Sequence, residues 1–304
     1  IVINLHKELF GSSIEDLLCA DGSLIVKVLK ALYGLVESAL LWYHHLTGTL
    51  KSAGYLVCQH DRGVLVKCTD VGERIIICLH VDDLLICTRS TSLRDDLLAI
   101  LTKAYKDINV QDNPKQIFYL GMQLDIDHKH GSIHVSQPGF VAEILAAHPI
   151  QRTAVTPANA ELFNCSSDGV PIDRTDFASR LMKLSYLAKR SRPDLCLLVS
   201  FLATRMTAPD HYDDLKLTRG YQYLAGTKSR KLTLCPDQIR LFAYIDASYA
   251  VHKDMASHTG GVLSLGTQCT VHAMCSKQKI TTDSTAFAEL VALHSGVHIV
   301  QWAQ

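Results

Sequence analysis

Residues 75–87 read Ile75-Ile76-Ile77-Cys78-Leu79-His80-Val81-Asp82-Asp83-Leu84-Leu85-Ile86-Cys87, one long apolar run split by two adjacent acids. Short apolar segments rich in β-formers on either side of two polar residues predict a β-hairpin whose tip presents Asp82 and Asp83. Asp-Asp is not a favoured two-residue turn, so this tip is expected to be strained or functional. Adjacent carboxylates among Ile, Val, Leu and Cys repel each other and lose hydration unless something compensates. A bound divalent cation does that; a freely solvated turn is the alternative, because Asp favours turns on its own account. Magnesium takes hard oxygen ligands, usually one or two protein carboxylates plus substrate phosphates, and nucleotidyl transfer uses two such ions roughly 4 Å apart.

Outward from this hairpin the pattern alternates between helical and strand periods. The apolar spacing of Ala31–Ala53 predicts a helix closed by Gly54. Gly63–Lys67 reads as a strand, Ser92–Tyr105 as an amphipathic helix, and Ile117–Asp127 as one strand whose partner is Ser132–Ser136. The stretch 156–173 holds Pro157, Asn159, Asn164, Ser166, Ser167, Gly169 and Pro171 and reads as a linker. Three helices follow, Phe177–Lys189, Asp194–Met206 and Asp210–Ala225, parted by Arg192-Pro193 and Ala208-Pro209. Beyond Pro236 come strands at Leu241–Asp246, Gly260–Leu265 and Gln268–Met274, a further candidate at Gln278–Thr282, and a helix at Ser284–Gln301. The fold class is therefore α+β, with divisions 1–155, 156–235 and 236–304.

Composition narrows the function classes. The 304 residues are 48% hydrophobic and 20% charged, which predicts a packed interior and no long-range disorder. Lys plus Arg and Asp plus Glu are 30 each, so any polyanionic partner must meet a local patch. Such a patch exists: residues 171–234 carry twelve Lys and Arg against six Asp, a difference of +6. Within it, Lys189, Arg190 and Arg192, with Lys228, Arg230 and Lys231, form either a solvated helical face or a track for a duplex backbone. Ten dispersed cysteines without a C-x-x-C pair read as thiols of a reducing, intracellular compartment. No apolar run reaches the roughly 18 residues of a membrane span, so no membrane association is expected.

Several motifs occur in one order: Lys30-Ala31-Leu32-Tyr33-Gly34-Leu35, Trp42-Tyr43, His80-Val81-Asp82-Asp83 and Tyr119-Leu120-Gly121-Met122. Together they resemble the reverse transcriptase of copia-type LTR retrotransposons, which writes K-A-L-Y-G-L, W-Y, Y-V-D-D and F-L-G-I. The resemblance continues through Ser185-Tyr186-Leu187, Arg192-Pro193-Asp194 and Tyr223-Leu224-Ala225-Gly226-Thr227, similar to the family's connecting region. It then reaches Tyr244-Ile245-Asp246-Ala247-Ser248, Ser276-Lys277-Gln278 and Ala288-Glu289-Leu290, similar to its ribonuclease H domain.

The resemblance implies a partial reverse-transcriptase palm and thumb-like part (1–155), a helical connection (156–235) and a truncated, incomplete ribonuclease H-like α/β domain (236–304). It implies Mg2+ or Mn2+ as cofactor, with Asp82 and Asp83 at the polymerase metal and Asp246 and Glu289 at the ribonuclease metal. Lys30, Tyr33 and Gly34 would lie near template and nucleotide, and Tyr119–Met122 near the primer grip. Partners would be an RNA template, a DNA primer, an RNA–DNA hybrid, nucleoside triphosphates and other segments of a polyprotein, in the cytoplasm or nucleus. Glu289, on an apolar helix with Phe287, Leu293, Val297 and Val300, is expected to be poorly hydrated without a partner.

The sequence also departs from the family. His80 replaces the tetrad tyrosine, and Val36, Glu37, Ala39 and Leu40 replace its Lys, Gln, Pro and Arg. The family's first polymerase aspartate precedes the strand that Ile1–Leu5 matches, and its third ribonuclease carboxylate follows Gln304. Both sites are therefore expected to be incomplete and this chain inactive alone, or a nucleic-acid-binding remnant. An incomplete last domain should leave apolar surface uncovered, with poor solubility or disorder after Pro236.

Overall fold

The computed structural model describes residues 18–23, 32, 34–111, 113, 115–166 and 168–303. The expected first strand at Ile1–Leu5 and the residues Lys30 and Tyr33 lie outside them. The chain divides into two compact units, Ile1–Ile108 and Asn109–Gln304.

In the first unit, helix α1 (Val36–Ser52) leads into a four-stranded antiparallel sheet. The strands run β1 (Leu56–Val57), β2 (Val64–Cys68), β3 (Arg74–His80) and β4 (Asp83–Thr88), paired in that order, and helix α2 (Thr91–Tyr105) follows. Alternation decides the faces: Ile75 and Ile77 of β3 are fully buried while Ile76 and Cys78 are not. They pack with Leu65 of β2, Leu46 and Leu50 of α1, and Leu93, Leu97 and Leu101 of α2. The spacing of these leucines is the helical period that the sequence shows. Ser90 starts α2 by accepting a hydrogen bond from the Leu93 amide at 3.3 Å, closing one of the orphan donors of the first turn.

The second unit holds two sheets around a helical core. Strands β5 (Gln116–Tyr119), β6 (Met122–Asp127), β7 (Ser132–Ser136) and β8 (Leu232–Leu234) form one antiparallel sheet. Helix α3 (Pro138–Ala147) follows β7, and α4 (Arg174–Ala188), α5 (Cys196–Ala203) and α6 (His211–Gly226) form the helical layer. Strands β9 (Leu241–Ser248), β10 (His258–Leu265) and β11 (Cys269–Lys277) form a second antiparallel sheet in the order β11-β10-β9, with helix α7 (Thr285–Ala303) packed on β9.

Four expectations are corrected. Ile117–Asp127 is two strands, because Leu120 (φ 51°) and Gly121 (φ 74°) turn the chain back and pair Tyr119 with Met122. The 156–173 stretch is no free linker: Leu162 is buried in the core with Val141, Ile144, Phe177 and Leu198, and Phe163 packs against it. Residues 237–303 are folded sheet and helix, so the expected disorder is absent there, whereas apolar surface is uncovered as anticipated at Phe287, Leu290, Leu293 and Val297. Gln278–Thr282 forms no strand.

A buried polar chain joins α5 to the second sheet. His252 Nε2 lies 2.8 Å from His258 Nδ1, and His258 Nε2 lies 3.1 Å from Cys275 Sγ and 3.3 Å from Ser200 Oγ. Ser200 Oγ donates to the Cys275 carbonyl at 2.9 Å, and Phe163 and Phe201 flank the rings. Burial, and then the neighbouring His252, push His258 down to about 4, while burial and Lys277 lower His252 against a smaller opposing effect of Asp254. Unfolded imidazoles take up protons near pH 6.5, so this joint is intact above that pH and loses stability as pH falls toward 4. Urea unfolding at pH 7.0 and 4.5 should differ in a sense that His258→Gln diminishes, with roughly 2–3 kcal/mol involved. Equal pH dependence in both proteins would contradict the assignment.

Candidate functional site

The β3–β4 register pairs His80 with Asp83, so the loop is Val81-Asp82 and not Asp82-Asp83. Asp83 opens β4, and Val81, Asp82 and Asp83 are all exposed. Val81 has φ 55°, a left-handed backbone that a β-branched residue adopts at a cost of about 1–3 kcal/mol. The Trp42 indole N–H donates to the Val81 carbonyl at 2.7 Å, which ties helix α1 to the turn. Trp42 in turn packs against Tyr105, with ring centroids 5.0 Å apart and planes tilted by 53°, and the Tyr105 hydroxyl meets His45 Nδ1 at 2.8 Å. His80, Gly34 (φ 95°), Glu37, Ala39 and Leu40 are exposed. The donor set at the turn, two adjacent carboxylates open to solvent, has the hard-oxygen chemistry that Mg2+ or Mn2+ prefers. Among the described residues no third metal-ligating side chain joins them.

The helix that carries Glu289 is held beside the strand that carries Asp246. Glu289 of α7 accepts a hydrogen bond at Oε1 from the amide of Ala247, the residue after Asp246 on β9, at 3.3 Å. Both carboxylates are exposed, which corrects the expectation of a poorly hydrated Glu289. The helix buries its small residues Ala288, Ala292 and Gly296, and this leaves Glu289 and the larger apolar side chains facing outward.

The basic cluster separates into two populations. Arg192 is 2% exposed and is no surface cation. Its guanidinium donates to Asp194 at 2.8 and 3.0 Å, to the Thr227 carbonyl at 3.1 Å and to Thr227 Oγ1 at 2.7 Å. Tyr223 donates to the same Asp194 at 2.6 Å, and Arg230 to the Tyr223 hydroxyl at 2.7 Å. Burial raises the Asp194 carboxyl, but these donors outweigh it and hold the group below its ordinary range. Lys231 pairs with Asp125 at 2.6 Å, and hydrogen bonds from Gln116 and then Lys231 push Asp125 down to about 2. Arg192 is therefore enclosed by its partners and reaches no surface, whereas Arg230 and Lys231 are exposed and paired with groups of the chain itself. Lys189 and Lys228 are exposed, and Arg190 stacks on Tyr186 at 4.2 Å.

Lys189 and Arg190 also line a groove of about 890 Å³ between α4, α5 and β11, together with Lys277, Met182, Cys196 and Ser200. Sequence reasoning missed Lys277 as a groove cation, because only the tertiary structure carries β11 to α5. Near the groove, Tyr186 reaches the β5–β6 turn, its hydroxyl donating to the Leu120 carbonyl at 3.5 Å, and Gln137 donates to the Gly121 carbonyl at 3.3 Å.

Residues 10–160 match the family profile of reverse transcriptases, the RNA-dependent DNA polymerases. This chain carries a copia-type retrotransposon reverse transcriptase region. A Saccharomyces cerevisiae protein named for transposon Ty5-1 is 29% identical over 77% of this chain and 76% of its own length. The retrovirus-related Pol polyprotein from transposon RE1 of Arabidopsis thaliana is 27% identical over 91% of the chain. The transposon Ty1-DR5 Gag-Pol polyprotein of yeast is 23% identical over the same share. The chain spans only 19% and 16% of those two polyproteins. In this reverse transcriptase region the hairpin of residues 74–88 lies inside the matched segment, whereas Asp246 and Glu289 lie beyond it. Among the described residues no helix is long and apolar enough to cross a membrane.

The division of the basic residues is testable. Arg192→Met leaves Asp194 buried and partnerless toward its strongest donor and should lower stability by about 3–5 kcal/mol in urea unfolding. Lys189→Met, at an exposed site, should change it by less than about 0.5 kcal/mol. Comparable losses would show that Arg192 carries no structural role.

Proposed function

We propose that this chain is the part of a retrotransposon polyprotein in which late reverse transcriptase, connection and the start of a ribonuclease H-like domain follow one another. Within the whole polyprotein it would serve metal-dependent nucleotidyl transfer and RNA-strand hydrolysis, on an RNA template, a DNA primer and the resulting RNA–DNA hybrid, using nucleoside triphosphates in the cytoplasm or nucleus. The observation that carries the reading is the exposed Asp82-Asp83 pair on a strained turn pinned by Trp42. A bound divalent cation supplies neutralisation of phosphate charge, and Asp82 and Asp83 are the residues that would hold it. Asp246 and Glu289 would hold the ribonuclease cation.

The contribution of the chain's own residues is placement. The β3–β4 ladder fixes the turn, Trp42 fixes its carbonyl, and the carboxylates point into solvent where a polyanion can approach. Lys189 and Arg190 offer positive charge along a groove in the second unit, where Lys277 is paired with Asp254 at 2.5 Å, and with Lys228 nearby in sequence they suit contact with a nucleic-acid backbone. Glu37 opposes such contact at the fingers-like end by placing a negative charge beside Gly34. With two carboxylates at each site among the described residues, we propose that the isolated chain binds hybrid without extending a primer.

Primer extension on an RNA template with Mg2+ tests this, comparing the chain with Asp82→Asn. No extension by either is expected; synthesis that Asp82→Asn abolishes would overturn the proposed inactivity while supporting the assignment of Asp82. Fluorescence anisotropy with a labelled RNA–DNA hybrid tests the groove. Affinity should fall steeply with salt, and Lys189→Glu should flatten the slope by about one. Absence of binding at low salt would refute a nucleic-acid role for the chain.

A further inference from the structure

Glu289 reaches the Ala247 amide, next in sequence to Asp246, only if α7 sits at one axial position along β9. The helix meets the sheet through Ala288, Ala292 and Gly296, a buried stripe at one-turn spacing. A Cβ on Gly296 would lie 2.1 Å from Ile245 Cδ1, so helix and strand are in close contact. Ile245 thus sits in the notch that Gly296 leaves and holds the helix there, two turns beyond Glu289, so the turn that carries Glu289 needs a hold of its own.

Gln278 supplies that hold. It directly follows β11, is 6% exposed, and its backbone amide donates to the Ser257 carbonyl at 2.9 Å. Its side-chain amide donates to Thr259 Oγ1 at 3.1 Å and to the Ala288 carbonyl at 2.9 Å, so both hydrogens are used. Thr259 stands opposite Ala247 in the β9–β10 register, and Ala247 is the residue whose amide donates to Glu289. Ala288 directly precedes Glu289. One side chain thus grips β10 beside the Asp246 position and α7 beside the Glu289 position. The Gln278 Oε1 is buried without a hydrogen-bond partner among the described residues, a cost that an apolar side chain would avoid. The residue is therefore better explained by its two donated bonds than by its bulk.

We propose that Gln278 is a positioning residue that sets the register of α7 against β9 and β10 and so holds Glu289 where it can share a divalent cation with Asp246. This inference rests on the reading of Asp246 and Glu289 as a metal-holding pair. Gln278 touches neither cation nor substrate.

The test is Mn2+-induced broadening of the Asp246, Ala247 and Glu289 backbone amide resonances in the full chain, with urea unfolding measured in parallel. Wild-type chain should show saturable broadening that Glu289→Gln abolishes. Gln278→Ala should raise the Mn2+ midpoint by about tenfold, as loss of a supporting contact to a metal ligand does. Thr259→Val, which removes one of the two anchors, should give an intermediate midpoint and decides the matter if Gln278→Ala fails to fold. Ala292→Gly loosens the same helix without touching Gln278 and should leave the midpoint unchanged despite lower stability. Unchanged midpoints in Gln278→Ala and Thr259→Val, with wild-type broadening that depends on Glu289, would overturn the role of Gln278 alone. Absence of Glu289-dependent broadening in the wild-type chain would overturn the metal-pair reading, and the proposal with it.

Discussion

The hydrogen bond from the Trp42 indole to the Val81 carbonyl is the contact on which the presentation of the two exposed acids depends. A left-handed valine costs about 1–3 kcal/mol, and one hydrogen bond returns about 1 kcal/mol, so the bond alone does not sustain the turn. The β3–β4 ladder supplies the remainder, because Ile75 and Ile77 are locked in the core and a one-residue slip would turn them outward. Strain is thus held between a fixed ladder on one side and an indole on the other. Asp82 and Asp83 keep their place at the rim without any partner inside the fold being needed.

The second unit uses charge in the opposite way. Arg192 is enclosed by Asp194, Thr227 and, through Asp194, Tyr223, so that the end of α4, the start of α5 and the end of α6 converge on one guanidinium. A buried cation of this kind needs its partners, and those partners lie on the elements that the core must bring together. Lys189 is left exposed at the groove, where charge is available to something outside the chain, whereas Lys277 at the same groove is paired with Asp254 at 2.5 Å. Basic residues close in sequence therefore serve unrelated ends, and burial is what separates them.

Much of this organisation was legible in the sequence because local patterns encode it. The alternation of Ile75 and Ile77, the leucine spacing of α2, Asp210 at the head of α6 and the apolar strands beyond Pro236 each announce their element with nearby residues. The motif order likewise announced the family. What escaped depends on distant partners. Leu120 adopts a positive φ beside Gly121, whose carbonyl is met by Gln137, while Tyr186 arrives from 66 residues away. Strand β8 exists because Leu232–Leu234 pairs with Ile133–Val135 about a hundred residues earlier. The burial of Arg192 and the two-way grip of Gln278 are tertiary facts in the same sense. A hairpin was read correctly from its flanks, while its tip shifted by one residue because the ladder, not the pair of acids, sets where the chain turns.

The central claim is that the Val81-Asp82 turn presents Asp82 and Asp83 to a divalent cation, and Trp42 is its natural reporter. The chain has two tryptophans, so a Trp302→Phe background isolates the indole bonded to Val81. Titrating Mn2+ in that background and following Trp42 fluorescence is the most direct measurement. The account predicts saturable quenching that Asp82→Asn or Asp83→Asn removes. Quenching that is equally weak and unsaturable in all three proteins would contradict it.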